Sequence, residues 1–165
     1  MKKIFSFLPL IWILFLSGCG SSMTVVEYND SLVSIVKQCT DSTQSLYKVF
    51  QAEWSTVDSV LASLQSSIST CQNASTQTTK LWNFEDDDSL KNWVMDLLSA
   101  EINYLQKFET TQRYRNIDEI TDEDKLAYDS IVGELYQMES ELNAQFIALQ
   151  EIQEAFAVKH WLKLS

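Results

Sequence analysis

The stretch "VVEYNDSLVSIVKQCTDSTQSLYKVF", Val25 to Phe50, decides the fold. Its apolar or small residues fall at 25, 28, 32, 36, 39, 43, 46 and 50 (Val, Tyr, Leu, Val, Cys, Thr, Leu and Phe). Steps of three and four place them on one face of an α-helix. The same period recurs further along. A second seam runs through Val57, Leu61, Leu64, Ile68, Cys71, Ser75 and Thr78, behind a capping-box-like start at Ser55 and Asp58. A third follows "EDDDS" and uses Leu90, Val94, Leu97, Tyr104 and Phe108, with Trp93 beside it. A fourth starts at "ITDED", with Thr121 as N-cap and Asp124 three residues on. It runs through Leu126, Ile131, Leu135, Met138, Leu142, Phe146, Leu149, Ile152, Phe156 and Trp161.

Past residue 18 the chain holds only Gly20 and Gly133 and no proline. A β protein of this length needs turn residues at many hairpins. Their scarcity predicts an all-α fold, an antiparallel up-down-up-down four-helix bundle. The helices are expected near 24–53, 56–80, 89–115 and 122–162. The last spans about 60 Å at about 1.5 Å per residue, against about 40 Å for its neighbours. It must overhang the bundle or kink, and Gly133 is the weak point.

The first eighteen residues are different. Lys2 and Lys3 precede an apolar run from Ile4 to Leu16, broken by Ser6 and Pro9. That order matches a secretory signal peptide, and the run is too short to span a bilayer comfortably. It ends in "LSGC", Leu16 to Cys19, which resembles the lipobox of bacterial lipoproteins. The resemblance implies cleavage before Cys19 and acylation, palmitate included, of that cysteine. Residues 1–18 are then the signal, 19–23 a lipidated linker and 24–165 a single domain. Gly20, in place of the Asp that retains Gram-negative lipoproteins at the inner membrane, favours the outer membrane in such a cell. The segment Ala144 to His160 also resembles, loosely, the end of uncharacterised all-helical bacterial lipoproteins, a resemblance that brings no activity with it.

Cleavage removes two lysines and no acid, which moves the formal charge from −11 to −13. A chain this acidic repels nucleic acid and anionic lipid, so no nucleic-acid partner is expected and acyl chains must hold the membrane. With Cys19 acylated, two of the three cysteines remain. Cys39 and Cys71 both lie on core-facing seams, equidistant from the turn near Ser55. An antiparallel hairpin sets such residues side by side. Export to an oxidising compartment then predicts a Cys39–Cys71 disulfide.

Few residues point to catalysis. His160 is the only histidine, and there is no G-x-S-x-G, P-loop or dinucleotide glycine pattern. No enzyme activity and no cofactor are expected. Asp86, Asp87 and Asp88 are weak cation candidates: the run is acidic, but calcium-loop spacing is missing, and acids at a helix N-terminus are favoured by the macrodipole anyway. Up-down topology puts them near Lys159, His160 and Lys163 at the anchored end. Trp82 and Trp161 are expected to cap the core there, a place at the membrane interface being the alternative. Glu101 falls near the third apolar seam, where burial raises a carboxyl. The sequence is thus read as an anchored, non-enzymatic module with a protein partner. The nearly uncharged second helix is a candidate surface. The alternative is ligand or cation binding in the bundle core or acidic loops.

Overall fold

The computed structural model describes residues 23–116 and 120–161; the side chains of 115, 116 and 161 lie outside that description. So do Cys19, Asp118, Glu119 and Lys163. The described residues form α1 (Val25–Gln51), α2 (Val57–Lys80), α3 (Ser89–Gln112), a 3-10 turn (Arg113–Asn116) and α4 (Asp122–Trp161). This is the expected four-helix bundle. Consecutive helices carry most of the packing, and α1 meets α4 more sparsely. No helix among the described residues is long and apolar enough to cross a membrane.

The first seam is buried from Val25 to Leu46 as its spacing requires, and Tyr28, Leu32 and Leu46 are fully enclosed. Each such side chain contributes roughly 1.5–3 kcal/mol. Thr24 caps α1 in a reciprocal box with Glu27: Glu27 N–H donates to Thr24 Oγ1 at 3.2 Å, and Thr24 N–H to Glu27 Oε2 at 2.8 Å.

The second helix departs from expectation twice. Its cap is Thr56, not Ser55, and Thr56 pairs with Ser59 rather than with Asp58. Its buried face is Val60, Leu64, Ser67, Cys71, Ala74 and Thr78. Val57, Leu61, Ile68 and Ser75 are only half-buried. The reason is the approach of α1. Cys39 and Cys71 are disulfide-bonded with their Cα atoms 4.6 Å apart. Backbones that close admit serine and alanine at the contact and push leucine and isoleucine to its flanks. Ser67 is satisfied across the gap: Ser42 Oγ donates to Ser67 Oγ and Ser67 Oγ donates to the Ser42 carbonyl, both at 3.1 Å.

Helix α4 is continuous through Gly133, so its extra length becomes an overhang. Its buried apolar residues Leu135, Leu142, Leu149 and Phe156 recur every seven positions, a narrow coiled-coil-like seam. Lys107 on α3 pairs with Glu134 at 2.5 Å, which fixes the register. The first turns of α4 therefore run beyond α3. Leu126, expected in the core, is 73 % exposed there. Thr121 does cap this helix, with Asp124 N–H donating to its Oγ1 at 3.1 Å.

Candidate functional site

The start of α1, the α2–α3 connection and the end of α4 meet at one end of the bundle. Phe84 in the connection packs on Tyr28 and Phe156, with ring centroids 5.4 and 5.7 Å away. Phe84 therefore closes the core where Trp82 was expected to; Trp82 is 55 % exposed. The turn after Phe84 is tight. Asp87 N–H donates to the Phe84 carbonyl at 2.7 Å, and Glu85 and Asp86 have φ of 47° and 64°. Left-handed backbone costs a non-glycine residue roughly 1–2 kcal/mol, so neighbouring contacts must hold it.

Those contacts are ionic. Asp87 is buried, and its Oδ2 accepts from Lys159 Nζ at 2.5 Å and lies 2.9 Å from His160 Nε2. His160, fully buried, places Nδ1 3.0 Å from Glu85 Oε2. Ionised carboxylates only accept, so both histidine contacts are hydrogen bonds at once only when both ring nitrogens carry a proton. Burial alone would raise the Asp87 carboxyl. Hydrogen bonds from Lys159, Ser89 and His160 outweigh it and hold the group well below the usual carboxylate range.

The expected acid–base meeting is thus present, but through Asp87 and Glu85. Asp86 and Asp88 point to solvent, so the three aspartates do not converge as a cation site. Among the described residues no group of three or more His, Cys, Asp or Glu is placed to hold a metal ion. Nor does Asp88 cap α3 with its side chain; Asp87 Oδ1 accepts the Ser89 N–H at 3.0 Å instead. This cluster ties the last helix to the loop. Its charges are spent on each other.

A different site lies halfway up. Because α4 packs on α3 and only sparsely on α1, a cleft of about 430 Å³ remains between α1, α3 and α4. Thr43 and Tyr47 come from α1, Glu101 and Tyr104 from α3, and Glu139 and Phe146 from α4. The Tyr47 and Tyr104 hydroxyls are 2.6 Å apart. Burial raises both phenols, so both stay neutral through the physiological range. Glu101 is 6 % exposed. Burial pushes its carboxyl up, and the Thr43 hydroxyl beside it acts in the other direction. The sequence flagged Glu101 by its place on an apolar seam. It did not show that Tyr47, Tyr104 and Glu139 surround it, because those residues join only through tertiary packing.

The far end of the bundle holds the α1–α2 turn and the start of α4. Large apolar side chains stay in solvent here: Trp54 is 86 % exposed, Leu126 73 % and Ile120 46 %. Asp122, Glu123 and Asp124 lie between Ile120 and Leu126. No family model, curated protein or solved structure matches this chain.

Proposed function

We propose that this protein is a lipid-anchored, non-enzymatic module of the bacterial cell envelope that meets a protein partner through the far end of its bundle. The anchor reading rests on the lipobox-like "LSGC" and its cysteine, Cys19. An extended linker from Cys19 to Thr24 reaches only about 17 Å. It would hold the start of α1 close to the lipid surface, the outer membrane in a Gram-negative cell. The exposed Trp82 sits at that same end, and interfacial water is a favourable place for an indole.

The observation that carries the partner reading is the overhang. Helix α4 extends past α3 and keeps Leu126 in solvent beside acidic residues. Scattered exposed apolar residues are ordinary. Several at one end of an acidic, anchored bundle fit a partner with an apolar patch and a basic rim. The outer face of α2, the other candidate, offers Gln65, Gln72, Asn73 and Gln77, with little apolar area.

A photo-crosslinking residue placed at Leu126, and separately at Gln72, tests this in intact cells. One discrete adduct from position 126 and none from 72 is the expected result. No adduct from 126, or the same adduct from 72 alone, would overturn it.

A further inference from the structure

The α1–α3–α4 cleft goes beyond the anchoring and partner reading. Glu101 is a carboxyl placed inside a protein wall, where its charged form is disfavoured. The residues lining the cleft include a second acid, Glu139, and no Lys, Arg or His. Nothing in the lining balances a negative charge. Tyr47, Tyr104, Leu142 and Phe146 supply aromatic and apolar wall, and Thr40, Thr43, Gln44 and Asn143 add neutral polar groups.

A core optimised for stability alone would carry Gln or Leu at 101. Departures of that kind concentrate at binding sites. The cleft also has the form such sites take, concave and largely apolar with a few convergent polar groups.

We propose that this cleft binds an organic ammonium ion, its charge met by Glu101 and Glu139 and its apolar body held against Tyr47, Tyr104 and Phe146. Three features favour that class. Two carboxylates attract a cation and repel anions. Aromatic faces attract a desolvated ammonium through the ring quadrupole. At about 430 Å³ the space is too wide for a bare metal ion, which needs a tight shell of oxygens. The Tyr47–Tyr104 hydroxyl pair adds a donor or acceptor for a polar group on the ligand.

The test is isothermal titration calorimetry on the full chain in a non-ionic detergent, with choline, butylammonium and putrescine as probes. 3,3-Dimethylbutan-1-ol serves as the neutral counterpart of choline. At least one ammonium should bind and the neutral alcohol should not. Glu101→Gln should weaken that binding at least tenfold, and Glu139→Gln should weaken it less. Binding should also weaken as acid protonates Glu101. Glu101→Gln removes a buried charge, so its melting temperature without ligand should equal or exceed that of the wild type. Lost binding then cannot be blamed on a failed fold. No binding of any ammonium at 10 mM, equal binding of the neutral alcohol, or unchanged binding in Glu101→Gln would each overturn the proposal.

Discussion

Reducing the Cys39–Cys71 bond isolates one contribution to this fold. The two residues are 32 apart in sequence. A cross-link closing a loop of that size removes chain entropy from the unfolded state worth about 3.7 kcal/mol at 25 °C. Reduction leaves both sulfurs in the core, where the cysteines are at most 1 % exposed, so little packing is lost. The shift therefore reports the cross-link rather than a cavity. For a domain of this size each kcal/mol moves the melting temperature by about 2–4 °C, so reduction should lower it by about 7–15 °C. Scanning calorimetry with and without a phosphine reductant measures this, with complete reduction checked by thiol titration. Helix α2 should loosen first. Its "SSISTCQNASTQTTK" is rich in residues that compete for backbone hydrogen bonds, and α1 holds it through small side chains. Amide exchange should therefore rise there before α3. A fully reduced protein melting within about 2 °C of the oxidised one would refute the reasoning. It would mean that packing alone keeps the two helices together in both states.

Three further outcomes follow from the same structure. Asp87 has a carboxyl lowered in the folded state, so it contributes stability above its ordinary value of 3.8 that is lost as pH falls below it. In thermal melts Asp87→Asn should be the less stable protein at pH 6, with the gap narrowing as pH falls from about 4 towards 2. Gly133 has open space where a Cβ would go; Gly133→Ala should stabilise by up to about 1 kcal/mol and raise the melting temperature by about 2–4 °C. Thr56→Ala should cost about 0.5–2 kcal/mol by denaturant titration and Ser55→Ala close to none, since Thr56 holds the cap.

The architecture was legible because it depends on local rules. Helix spacing, the lack of glycine and proline, and the caps at Thr24 and Thr121 act within a few residues. The disulfide was legible by symmetry about a turn. What escaped the sequence depends on approach distances between helices. The α2 face turned from Leu61 and Ile68 to Ser67 and Ala74 because α1 lies so close, and no pattern in α2 alone records that distance. Leu126 obeyed the apolar period yet stays largely in solvent, because α3 had already ended. The cleft is a product of the same geometry. Glu101 stood out on its seam, whereas its surroundings come from three helices and appear only when these are assembled. The acidic run was readable as charge but not as roles. Asp87 differs from Asp86 and Asp88 only because the left-handed turn aims it inward, at Lys159 and His160.

The account stands on the protein being anchored through Cys19. Mass spectrometry of the N-terminal peptide from the membrane fraction tests that directly, beside a Cys19→Ser variant. The account predicts a peptide that begins at Cys19 and carries acyl chains in the wild type, with no acylated form in the variant. An intact N-terminus with residues 1–18 still attached, or an unmodified Cys19 in protein that remains on the membrane, would contradict it.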